Sequence, residues 1–155
     1  MNPLLTVVMV IALAVGAVLF LRSRVAKEWD IQPSEIPQLV SKLKSARGPL
    51  AWAQIIAVTD PNQRDSDIAL DYSVSNGEFQ FNWCLLAPKN IEDKPLLIEF
   101  FNKNGFSQIE MVAENGCPLI KVTGANLEGL ANRVLTEIYH FNGSLTLIGE
   151  GFEWP

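Results

Sequence analysis

Residues 68–85 read IALDYSVSNGEFQFNWCL, and the Asn76-Gly77 pair at their centre decides the fold class. Asn-Gly between two alternating runs marks a two-residue hairpin turn of the I′ type, because both central positions need positive φ. Closing that turn sets Ser75 opposite Glu78. Val74 then faces Phe79, Tyr72 faces Phe81, Leu70 faces Trp83 and Ile68 faces Leu85, all on one side of the ribbon. The other side pairs Ser73 with Gln80, Asp71 with Asn82 and Ala69 with Cys84. A slip of one residue would set every large side chain against a polar one.

Working outward, Asn115-Gly116 repeats the signal and predicts a second hairpin, with Met111 opposite Ile120, Ile109 opposite Val122 and Glu110 opposite Lys121. Ahead of the first hairpin, Leu50 to Val58 is a continuous apolar run suited to a buried strand. Ser34 is expected to cap a helix carrying Ile36, Leu39, Val40 and Leu43 at helical spacing, ended by Gly48. Between the hairpins, Asp93 is expected to cap a helix that buries some of Leu97, Ile98, Phe100 and Phe101. Asn126 is expected to cap the strongest helix, with Leu127, Leu130, Ala131, Val134, Leu135 and Ile138 in one stripe and Asn142-Gly143 at its end. A last strand covers Leu145 to Ile148.

At the other end of the chain, Leu4 to Leu21 contains no charge and one polar side chain, Thr6. Eighteen helical residues reach about 27 Å, close to the hydrocarbon thickness of a bilayer, and the run stops at Arg22 and Arg24. The stretch is therefore read as a retained signal anchor. It lacks the basic leader and small-residue cleavage site of a signal peptide. With Arg22, Arg24 and Lys27 all on the far flank, the positive-inside rule predicts a single-pass membrane protein with its N-terminus outside and its domain in the cytoplasm. The expected organisation is a membrane helix over 1–24, a connector over 25–34 and a domain over 35–155. The expected fold class is α+β: an N-terminal transmembrane helix followed by a two-layer sandwich of an antiparallel sheet with helices on one face.

The element order from 34 to 142 is helix, three strands, helix, two strands, helix. In that order alone it resembles type III secretion chaperone-like domains. The resemblance implies a non-enzymatic domain that binds a protein client; the apolar anchor and the added final strand depart from it. The run from Phe79 onward also fits a strand-helix-strand-strand-helix-strand unit of the ferredoxin-like kind, which leaves the sheet order open.

Charge narrows the partners. Residues 22–47 carry six Lys/Arg against three Asp/Glu, whereas residues 48–155 carry six against fourteen. An acidic domain behind a basic collar argues against nucleic acid and suits a bilayer on one side and a basic protein on the other. Catalytic patterns are missing from the sequence. His140 is the sole histidine, so no multi-histidine metal set or repeated imidazole relay can be assembled. Asp60 to Asp71 has the length of a calcium loop, but Arg64 stands at its fifth position, Asp65 where the turn glycine belongs and Asp71 where the terminal Glu belongs. Cys84 and Cys117 fall on the less apolar sheet face with no neighbouring cation evident to activate either thiol.

These readings imply no cofactor and no metal. They make the leading expectation a membrane-anchored adaptor, chaperone-like or toxin-neutralising protein. Its candidate partner-binding residues are Asp71, Ser73, Gln80 and Asn82 on the open sheet face, and Phe152 and Trp154 in the tail. An enzyme or small-ligand sensor is the alternative. A homo-oligomer assembled through the small pair Ala12 and Gly16 is the third reading.

Overall fold

The computed structural model describes residues 26–155 except 61, 64, 65, 114 and 115. The seven strands are β1 (Lys27–Ile31), β2 (Leu50–Ala57), β3 (Ile68–Ser75), β4 (Glu78–Cys84), β5 (Ser107–Val112), β6 (Pro118–Thr123) and β7 (Leu145–Glu150). They form one sheet in the order β1-β7-β2-β3-β4-β6-β5, and each neighbouring pair is antiparallel. The helices are α1 (Ile36–Lys44), α2 (Pro88–Glu92), α3 (Lys94–Lys103) and α4 (Leu130–Arg133), the last running on into a π-helical turn, Val134–Ile138.

The expected fold class needs correction. Among the described residues no helix is long and apolar enough to cross a membrane. The longest, α3, has ten residues, or about 15 Å of rise, half a hydrocarbon core. The described chain is a mostly antiparallel sheet with helices. The apolar stretch Leu4–Leu21, with Ala12 and Gly16, lies outside the described residues.

The sheet extends beyond the elements read from sequence. Lys27–Ile31, inside the expected connector, is a strand hydrogen-bonded along β7, with Trp29 opposite Leu147 and Ile31 opposite Leu145. Its composition, KEWDI, hides it: charges on an edge strand discourage further pairing and erase the apolar alternation that marks a strand. Three crossovers carry the helices. β1 to β2, β4 to β5 and β6 to β7 each join strands that run the same way but are separated by others, so parallel neighbours never arise.

One side of the sheet meets the helices. Ala53, Ile55, Leu70, Tyr72, Phe81, Trp83, Ile120 and Leu147 are fully buried there, in one cluster with Ile36, Leu39, Leu43, Leu97, Phe101, Leu130 and Val134 from the helices. Tyr72 meets Phe81 edge-on at 5.2 Å and Phe81 meets Phe101 edge-on at 6.4 Å, while Tyr72 stacks on Phe79 at 5.3 Å between ring centroids.

The first hairpin has the register its turn predicts, Ser75 opposite Glu78 through Asp71 opposite Asn82, with Asn76 and Gly77 both at positive φ. Below Asp71 the ladder is replaced by a side chain. Buried Asn90 of α2 accepts from the Ala69 N–H and donates to the carbonyls of Ala69 and Cys84, the last two at 2.7 Å. Its own carbonyl accepts from the Trp83 indole at 3.0 Å.

The second hairpin differs from expectation. Glu110 faces Ile120 and Ile109 faces Lys121, one residue out of the predicted register. Gly116 N–H donates to Ala113 O, and Ala113 N–H donates to Cys117 O, both at 2.9 Å. Three residues therefore separate the closing pair, and Gly116 has φ +84°, as in a three-residue loop with a glycine bulge.

None of the three expected caps is filled as predicted: Ser34 falls inside a 3-10 turn, Pro33–Glu35, and α1 has no side-chain cap bond. Asn126 is itself left-handed and makes no cap bond; instead the Tyr72 hydroxyl, reaching from β3, accepts from Ala131 N–H at 3.0 Å and donates to Leu127 O at 2.8 Å. Asp93 accepts from Lys89 and from the Tyr139 hydroxyl rather than from its own helix. Tyr139 N–H bonds Val134 O, widening the helix by a residue, and His140 at φ 49° ends it before Asn142.

Candidate functional site: the open face of the sheet

Strand alternation places every second residue on the side away from the helices. Registers across the sheet align these residues in rows. The central row is Glu28, Ile148, Gln54, Asp71, Asn82, Lys121 and Ile109. Beside it stand Glu150, Trp52, Ser73 and Gln80. On its other flank lie Cys84, Leu119 and Met111.

The polar side chains in the middle are organised by short bonds. Gln54 Nε2 donates to Asp71 Oδ1 at 2.9 Å, and Asn82 Nδ2 donates to Ser73 Oγ at 3.1 Å. Trp52 Nε1 donates to Glu150 Oε2 at 3.4 Å. Lys121 Nζ donates to Glu78 Oε1 at 2.9 Å, which holds the Glu78 carboxyl below its ordinary range. Asp71 is half-buried in the face, beside the more deeply buried Asn82. Burial pushes its carboxyl up to about 6, against the opposing pull of the Gln54 bond. A carboxylate ionised at such a position costs the fold stability at neutral pH.

Electrostatically the face is predominantly negative. Its outward positions carry Glu28, Asp30, Asp71, Glu78 and Glu150 against Lys121, which pairs with Glu78. Apolar contact area lies between them: Trp52, Ile56, Leu119 and Ile148 are half-buried, while Ile109 and Met111 at the β5 edge are 61% and 45% exposed.

Of the residues singled out from sequence, Asp71, Ser73, Gln80 and Asn82 come together as a contiguous two-by-two patch on β3 and β4. Phe152 and Trp154 do not join them. The chain turns at Gly151, φ +85°, and Phe152 folds back towards the helical layer. Its ring lies 5.8 Å from that of Trp29, over Gly149, where an added Cβ would meet it at 2.5 Å. Trp154 is partly buried against the same core.

Sequence reasoning missed Gln54, Trp52, Ile109 and Met111 as members of the face. Gln54 and Trp52 were masked by the apolar run around them, and the β5 pair by the register. A groove of about 520 Å³ exists elsewhere, on the helical layer, lined by Pro37, Val40, Ser41 and Lys44 of α1 and by Glu128 and Gly129. Lys44 and Glu128 pair across it at 2.7 Å. Among the described residues no group of three or more His, Cys, Asp or Glu side chains is placed to hold a metal ion. His140 Nδ1 lies 3.1 Å from the Thr136 carbonyl in its own helical turn.

Comparison with protein-family models, with curated proteins and with solved structures finds no match for this chain.

Proposed function

We propose that the domain is a non-enzymatic protein-binding unit that receives a basic protein segment on the open face of its sheet. The observation that carries this reading is the composition of that face: acidic side chains around half-buried Trp52, Ile56, Leu119 and Ile148, in a sheet whose described helices pack on the opposite side. Apolar area supplies the contact, and the excess negative charge steers and selects a partner of opposite sign. Chaperone-like or toxin-neutralising binding both belong to this description.

The test is a photo-reactive residue placed at Gln80 in the full chain, compared with one at Glu99 on the exposed side of α3. Gln80 should capture basic proteins, with yield falling as ionic strength rises, and reversing Glu78 and Glu150 to lysine should abolish the capture. Equal adducts at the two positions, or adducts at Gln80 with no bias towards basic proteins, would overturn the reading.

A further inference from the structure

Cys84 closes β4, and its cross-strand partner on β6 is Leu119. Cys117 stands two residues before Leu119, so strand alternation brings both cysteines to the open face as diagonal neighbours. Their sulfurs are 2.7 Å apart, well inside the ordinary non-bonded separation of two sulfur atoms, with both side chains as reduced thiols. A disulfide of about 2.05 Å would need an approach of only about 0.65 Å more.

The backbone fixes this contact on both sides. Leu85 N–H donates to Pro118 O at 2.8 Å, which ties the residue after Cys84 to the residue after Cys117. The Asn90 side chain holds the Cys84 carbonyl at 2.7 Å. Ala113 N–H holds the Cys117 carbonyl at 2.9 Å. The sulfurs meet because four strand and loop segments are locked, not because two mobile side chains happen to touch.

The two thiols differ in access. Cys84 is 7% exposed, and burial, followed by the hydrogen bond to Cys117 and the charge of Asp71, pushes its thiol up to about 12. Cys117 is half-buried. An external reagent therefore reaches Cys117 first, and Cys84 waits behind it at bonding distance.

We propose that Cys84 and Cys117 are a redox-active pair that closes to an intramolecular disulfide by exchange with an external disulfide. The Cys117 thiolate attacks one sulfur of that oxidant, forming a mixed disulfide and releasing the oxidant's first thiolate. The Cys84 thiolate then attacks Cys117 Sγ and releases the second. Two protein thiols are oxidised, one external disulfide is reduced to two thiols, and the two protons lost by the cysteines pass to the departing thiolates. Proximity drives the second step, offsetting the reluctance of Cys84 to ionise. The bridge fastens the end of β4 to the start of β6 and closes a long loop that contains α2, α3 and β5. The proposal does not depend on the docking reading: the pair closes whether or not a partner occupies the face.

The experiment incubates the reduced full-length chain with glutathione disulfide, then measures intact mass, non-reducing peptide maps and thermal unfolding. Closure predicts loss of the mass of two hydrogen atoms, a peptide joining Cys84 to Cys117, and a melting temperature about 10 °C higher that reverses with a dithiol reductant. Cys84→Ser should instead stop at glutathione attached to Cys117, whereas Cys117→Ser should leave Cys84 unmodified until the protein is unfolded. Glutathione retained on Cys117 of the unsubstituted chain, or a dimer bridged through Cys117, would overturn the proposal.

Discussion

The two hairpins carry the same Asn-Gly signal and use it differently. In β3–β4 the dipeptide is the whole connection, and Ser75 meets Glu78 directly across it. In β5–β6 three residues lie between Ala113 and Cys117, and Gly116 supplies only the left-handed position that closes the loop. One added residue turns β5 over. Ile109 and Met111 go to the open face, while Glu110 leaves Lys121 and pairs with Lys94 of α3 at 2.6 Å. A turn dipeptide thus fixes where a chain reverses, and the count of connecting residues fixes which face each side chain occupies.

That contrast can be broken most forcefully through the cores of the two ribbons. Trp83→Ala, in the first hairpin, removes a fully buried ring and its bond to Asn90 and should cost about 4 kcal/mol in urea unfolding. Ile109→Ala in the second should stay within about 0.5 kcal/mol, because the side chain stands on the exposed edge. A cost near 2 kcal/mol at Ile109 would restore the register expected from the dipeptide alone.

Asp71 sharpens the comparison by showing what the first hairpin tolerates on its outer face. Its raised carboxyl means that, between about pH 4 and 6, the folded chain keeps a proton the unfolded chain has released. Stability therefore falls as pH rises through that window, and above it the ionised group is a standing cost. Asp71→Asn should stabilise by about 2 kcal/mol at pH 7 and by nothing near pH 4, measured as urea midpoints at the two values.

The turns themselves come next. Gly77→Ala and Gly116→Ala both force a Cβ onto positive φ with no neighbour within 4 Å, so each should cost about 1 kcal/mol of backbone strain alone. Unequal costs by equilibrium unfolding would show that the two loops bear different strain. The smallest effect decides the register most directly. A double-mutant cycle between Glu110 and Lys94 should give about 0.3 kcal/mol, and one between Glu110 and Lys121 should give zero within error.

Sequence made the β3–β4 pairing and the buried stripes of the helices legible because both depend on residues close along the chain. Ile36, Leu39, Val40 and Leu43 are all buried, as their spacing implies. What escaped was set at a distance. The cap of the last helix comes from Tyr72, more than fifty residues away; the final turns of the β3–β4 ladder come from Asn90; and the charged strand β1 acquires its conformation only by lying against β7. For the face itself, alternation identified Asp71, Ser73, Gln80 and Asn82 once the turn was placed. It gave Cys84 and Cys117 the same side but not the diagonal that joins them. The place of Phe152 escaped because it is a bare glycine, Gly149, on a strand whose neighbours local pattern does not reveal.

The position of β7 between β1 and β2 has a bearing on how the molecule is made. Of the described strands, the two that come first along the chain are not each other's neighbours; they are held apart by a slot that β7 fills. Until residue 150 has been synthesised, β1 lacks a partner and β2 presents a bare edge, so the N-terminal half of the sheet must await its keystone. Such an arrangement favours assembly after synthesis rather than during it, and it makes the nascent chain the form most in need of protection from its neighbours.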